Sequence, residues 1–382
     1  MNRIPIRPEM LRWACERAGH ELSDLAPKFP NLPAWERGDK QPTLKQLEDF
    51  SRATRTPLGF LFLPEPPEEA LPIPDLRTVK NRPLRPSPDL LETIHVMQRR
   101  QDWLRDERLE GDASPLEFVG NARLNDDPDA VGREMRLAIN LGDGWAGAVG
   151  TWQEAVSELR RRIEGLGVMA VINGIVGNNT HRKLDVDEFR GFALIDRHAP
   201  LIFVNGADAK SAQMFTLAHE LAHVWLGPEG EGVSGFDGLL PGDNRIERFC
   251  DRAAAEFLVP AAEVRELWSN VRRESDAVER VARHFKVSPI VAGRRAMDLR
   301  LVDRDTFFKF YDAYTKRERQ PAQAGGGDFY NNQNTRVGEA FATSVIRAAM
   351  GGRLSFKEAY ALTGLHGGAF QEYARRLGMA LP

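Results

Sequence analysis

The chain has 382 residues, 42% of them apolar and 28% charged, with a formal net charge of −3. That length suits two or three domains with real cores, and the near-balanced charge excludes a strong general pull toward nucleic acid or an acidic membrane surface. No apolar run approaches the roughly 20 residues of a membrane span, no apolar leader follows Met1, and Cys15 and Cys250 are too few for a disulfide framework, so a cytoplasmic, reducing setting without membrane attachment is expected.

Residues 1–63 read as short helices. Met10, Leu11 and Ala14 recur at helical spacing until Gly19, Leu22 to Ala26 and Trp35-Glu36-Arg37-Gly38 follow, and Thr43 is placed to cap the next helix. This series resembles the helix-turn-helix domain of XRE-type repressors, in degenerate form. Where that family runs its recognition helix, this chain has Phe29-Pro30-Asn31-Leu32-Pro33, and proline inside a helix removes a hydrogen bond and clashes with the preceding turn. The first 80 residues also balance twelve cationic against twelve acidic side chains, whereas specific DNA binding leans on net phosphate neutralisation. DNA binding is therefore not favoured over a scaffold that meets a protein partner.

Residues 64–86 are proline-rich and acidic and read as an extended linker. Over 87–165 the pattern is helical: Leu90, Leu91, Ile94, Met97 and Leu104 share a period, Asp126-Asp127-Pro128 starts a second helix toward Asn140, and a third spans about Val149 to Glu164. The pattern changes at 166–262. Short branched and aromatic runs at 168–172, 189–195 and 201–204 predict strands, followed by a helix from Phe215 through Trp225 that Gly227-Pro228 stops.

That helix carries His219-Glu220-Leu221-Ala222-His223. Residues four apart lie one above the other on a helix, so both imidazoles reach one ion with Glu220 beside them. The alternative is a pair of core histidines satisfied by neighbours. The next helix supplies a candidate third ligand in Glu247, because a catalytic zinc takes three protein ligands and leaves a position for water. Asp251, one turn further, is placed to accept the far N–H of a ligand histidine. Cys250 reads as a small packed side chain rather than a thiolate ligand.

The two helices resemble the thermolysin-like (gluzincin) pattern, and residues 190–260 resemble the ImmA/IrrE family of metallopeptidases. The matching pieces are Arg190-Gly-Phe-Ala-Leu194, Ala199-Pro-Leu-Ile-Phe-Val-Asn205, the Phe215 helix, and Glu247 through Pro260. The resemblance implies an α+β fold, mainly helical, with a small mixed sheet packed on the histidine helix, one zinc ion per chain, and a substrate groove along an edge strand. It also implies a protein substrate of the XRE-type repressor or antitoxin class, cut to relieve repression in stress responses. With zinc on His219, His223 and Glu247, Glu220 is the expected general base. No tyrosine precedes Tyr311, so His181, Arg190 and Tyr311 are the candidates for contacting the oxyanion or substrate. The competing function is a non-enzymatic DNA-binding or toxin-antitoxin regulator that keeps the fold as a binding module.

Beyond the core, 263–319 reads as a helical, faintly helix-turn-helix support broken at Lys286-Val-Ser-Pro289. Residues 320–335, with Gly325-Gly-Gly327, read as a flexible linker, and 336–382 as a helical tail with stretches at 337–350 and 356–362.

Overall fold

The computed structural model describes residues 3–69, 86–230, 232–234, 245–316 and 332–379, and these fall into two units divided near residue 95. The stretches read as linkers, 64–86 and 320–335, lie outside the described residues except for 64–69, 86 and 332–335.

Capping chemistry decides where the helices of the first unit begin. Helix α1 (Pro8–Arg17) starts on a proline, where the missing N–H has no intrahelical partner to lose. The short α2 (Leu22–Leu25) opens on a reciprocal Glu21/Asp24 capping pair, and α4 (Leu44–Ala53) opens on a Thr43/Gln46 capping box. Between them α3 spans only Leu32–Glu36, with Pro33 in its first turn. Proline is tolerated there for the same reason as in α1, so it shortens the helix without abolishing it. Phe29 packs between Trp35 and Phe50, with ring centroids 6.3 and 5.6 Å away, at the centre of a core that also takes in Met10, Leu11 and Leu47.

Helix α5 (Pro88–Glu110) runs across the division. The second unit continues with α6 (Pro128–Ala138), capped by Asp127, then a short α7 (Trp145–Ala148) that periodicity had not marked, and α8 (Trp152–Gly165), capped by Thr151 with Glu154. Strands β1 (Met169–Asn173), β2 (Gly191–Leu194) and β3 (Leu201–Asn205) are buried throughout. With the brief β4 (Gly232–Ser234) they form a mixed sheet in the order β1-β3-β2-β4, in which β1 runs parallel to β3 and the other pairs are antiparallel. The fold is thus mainly helical α+β with a small mixed sheet, as expected.

One face of that sheet, through Ala170, Ile172, Ala193, Ile202 and Val204, joins the main core with α8 and with α9 (Lys210–Leu226). On the opposite face Phe192 and Phe203 stack at 5.0 Å across the β2–β3 pairing. Gln101 of α5 ties to the main chain there, donating to Leu194 O and Ala199 O. Helix α10 (Arg245–Leu258) packs between α9 and α6. Beyond it lie α11 (Ala261–Val271), α12 (Ala277–Phe285), α13 (Pro289–Asp298) and α14 (Arg304–Lys316), the break between α12 and α13 falling at the expected Lys286–Ser288 turn. The tail begins with a π-turn over Asn334–Gly338, one turn before a helix at Glu339–Met350. Helices at Phe356–Thr363 and Gly367–Arg376 follow.

Candidate metal centre

Helix α9 starts five residues before the apolar stripe did, because Lys210 to Met214 continue its turns toward β3. It ends where the chain must turn left-handed: Gly227 has φ 69°, a conformation that costs a residue with a Cβ. The loop after Phe118 completes that end, with the N–H groups of Gly120 and Ala122 donating to the carbonyls of Val224 and Trp225 at 3.1 and 2.9 Å. The helix that carries the two histidines is thus tied down at its C-terminal end. Both rings are buried, as is Glu220.

The strand nearest the site is β2. A Cβ built on Gly191 would lie 2.6 Å from Thr216 Cγ2, 2.8 Å from Phe203 O and 2.9 Å from Glu220 Oε1. Only glycine lets the sheet approach α9 this closely, and the approach sets the Glu220 carboxylate against the strand backbone. In the sheet β1 and β4 are the outer strands, and β4 lies beside the interior β2.

His219 Nε2 and His223 Nε2 stand 2.9 Å apart. Glu247, in the first turn of α10, brings Oε2 to 3.2 Å from His219 Nε2 and Oε1 to 3.6 Å from His223 Nε2. All three donor atoms fall within 4.8 Å of one another. Donors about 2.0–2.1 Å from a zinc ion in tetrahedral array are themselves about 3.3 Å apart, so the spacing fits one such ion, and two imidazoles with one carboxylate are a donor set suited to it. Asp251 Oδ1 lies 2.9 Å from His219 Nδ1, the contact that fixes which ring nitrogen faces the carboxylate of Glu247.

Burial works against charge on His219, but hydrogen bonds to Asp251 and Glu247 outweigh it and hold the imidazolium well above its ordinary range. Burial raises the Asp251 carboxyl, against the opposing pull of His219. The Cys250 thiol is pushed far up, first by burial and then by Glu247, Asp251 and Glu220. Cys250 is fully buried in the core and is not among the clustered donor atoms.

Residues 177–297 match the family model of the IrrE N-terminal-like domain. The match runs from the loop after β1 into α13 and takes in the whole histidine–carboxylate cluster, and at the family level it points to a metallopeptidase-type domain over this stretch. Residues 337–376 match a domain of unknown function, DUF8813. No curated protein matches the chain. Among the described residues no helix is long and apolar enough to cross a membrane.

The three residues expected to contact the oxyanion or substrate lie on three different elements or loops. His181 is exposed on the loop after β1. Arg190 is engaged by Asp208 at 3.3 Å, and Tyr311 packs against Phe307 on α14 with ring centroids 6.3 Å apart. None of them belongs to the cluster. Sequence reasoning passed over Gly191 and the arginines on the first turn of α10. The signal was present in the second case, since Arg245 and Arg248 flank Glu247 at a spacing that places them on one helix face.

Proposed function

We propose that this protein is a zinc-dependent endopeptidase that cleaves a regulatory protein of the XRE-type repressor or antitoxin class and so relieves transcriptional repression. The observation that carries the reading is the convergence of two imidazoles and a carboxylate from a second helix on one ion-sized space, beside a buried glutamate that is not needed as a ligand. Zinc held by His219, His223 and Glu247 supplies polarisation of the scissile carbonyl and acidification of water. Glu220 takes the proton of the attacking water and delivers it to the leaving amine nitrogen. Asp251 keeps the His219 ring in the tautomer that turns Nε2 toward the donor set.

An extended polypeptide suits the site because β4 is the outer strand next to β2, and an outer strand offers main-chain hydrogen bonds to a peptide laid beside it. The repressor-like first unit favours recognition of a repressor-class partner over direct reading of DNA. Helix α3 has five residues, and nearby Arg12 and Arg37 are paired with Glu36 and Asp39 at 3.1 and 2.8 Å.

The test is to incubate the zinc-loaded protein and its Glu220→Gln variant with the product of the adjacent repressor-like reading frame. Wild type is expected to cut it, while Glu220→Gln keeps its zinc and loses at least about a hundredfold in rate. His223→Ala is expected to lose the metal itself. Full activity in Glu220→Gln, or unchanged zinc content in His223→Ala by elemental analysis, overturns the assignment.

A further inference from the structure

A cavity of about 590 Å³ opens between α10, α13 and the segment leading into α6. It adjoins the metal centre through two shared residues: Asp251, which holds His219 Nδ1, and Phe215, whose ring centroid is 6.2 Å from that of His219. Five arginines line it against four aspartates. Three of those arginines are committed within the fold. Arg252 donates to Asp129 at 2.8 Å, Arg294 to Asp298 at 3.1 Å, and Arg295 to the buried Glu256.

The other two differ. Arg248 is exposed and makes no ion pair or hydrogen bond among the described residues. Among the described residues Arg245 bonds only neutral oxygens, Asn125 Oδ1 and Leu124 O. They sit three apart on α10, the spacing at which side chains on a helix are neighbours and like charges repel. Glu247, the candidate ligand, lies between them in sequence. Two adjacent guanidinium groups with no ion pair among the described residues, in the wall of a cavity that meets the metal centre at Asp251 and Phe215, form a receptor for an anion.

We propose that this cavity is a substrate subsite, set behind His219 and outside the donor cluster, that takes an acidic side chain, Glu or Asp, of an extended polypeptide. The inference rests on the peptidase reading above. A single carboxylate fits two forked donors, whereas a run of phosphates would meet the carboxylates of Asp126 and Asp298 in the same walls. The ligand is therefore an acidic peptide and not a nucleic acid strand.

Fluorescence anisotropy with the full-length, zinc-loaded Glu220→Gln protein tests this without turnover. The probes are fluorescein-labelled fourteen-residue peptides of alternating Leu and Ser with a central Glu-Glu or Gln-Gln pair. The Glu-Glu peptide is expected to bind about tenfold more tightly at low salt. That preference should vanish in the Arg245→Gln/Arg248→Gln double variant and persist in Arg248→Lys, with zinc content and thermal midpoint unchanged in both. Equal affinity for the two peptides, a preference that survives the double variant, or stronger displacement by a single-stranded oligonucleotide than by unlabelled Glu-Glu peptide would each overturn the subsite. The peptidase reading stands or falls separately. A wild-type protein that cleaves its substrate without this preference loses only the subsite, and one that binds the Glu-Glu peptide but shows full activity in Glu220→Gln loses only the hydrolase assignment.

Discussion

The centre depends on single atoms whose positions are set by neighbours and not by the ligands themselves. His219 is buried among its neighbours, and its Nδ1 faces the Asp251 carboxylate, with Oδ1 at 2.9 Å. Replacing Asp251 with Asn keeps the shape but removes the charge that orients the ring. Outer-shell changes of this kind cost about tenfold to a hundredfold in metal affinity. Asp251→Asn is accordingly expected to bind zinc that much more weakly in a chelator-competition titration, while its circular dichroism stays that of wild type; an unchanged zinc affinity would remove Asp251 from the site. Glu220 owes its place to Gly191 in the same way, since no other residue leaves room for the strand beneath it.

At the scale of elements, the third donor reaches the histidines because α10 is clamped between α9 and α6. The clamp is tightest at Gly132 of α6, where an added Cβ would lie 2.5 Å from Ala253 O and 3.1 Å from Phe257 N, both backbone atoms of α10. Backbone cannot rotate out of the way. Gly132→Ala must therefore push the helices apart, at a cost of about 1–3 kcal/mol. Because α10 carries Glu247, the same variant is expected to show both a lowered thermal midpoint and weakened zinc binding. Loss of stability with wild-type zinc affinity would mean that the helix moves as a rigid piece without displacing its first turn. The Asp129–Arg252 ion pair braces the same two helices at 2.8 Å.

For the second unit as a whole, the tail is joined to the peptidase-like core through a buried charge. Glu164 at the end of α8 pairs with Arg160 at 2.7 Å, accepts a hydrogen bond from the backbone of Glu339, and lies 3.1 Å from where a Cβ on Gly338 would stand. Burial, opposed by Arg160 and reinforced by Glu339, pushes its carboxyl from 4.5 up to about 7. A raised carboxyl pKa means that the folded state holds a proton that the unfolded chain has released. The associated stability is complete below pH 4.5 and is lost as pH rises through about 7. The loss is on the order of 3 kcal/mol. Glutamine mimics the protonated acid, so the midpoint of Glu164→Gln relative to wild type is expected to rise by several degrees between pH 5 and pH 8 in scanning fluorimetry. A difference that does not change with pH would place the titration elsewhere.

Much of this was legible in the residues alone. Helical periodicity and short branched or aromatic runs, with Thr43, Asp127 and Pro289 as start signals, located most helices and three strands to within a few residues, because burial and capping act locally. His219 and His223 were readable as a pair because four residues along one helix is a fixed distance. Whether Glu247 and Asp251 meet that pair, that the sheet runs β1-β3-β2-β4 with β4 outermost, and that Gly191 and Gly132 sit at points of closest approach are facts about separate elements. They are settled by how helices and strands dock, and no local pattern encodes that docking.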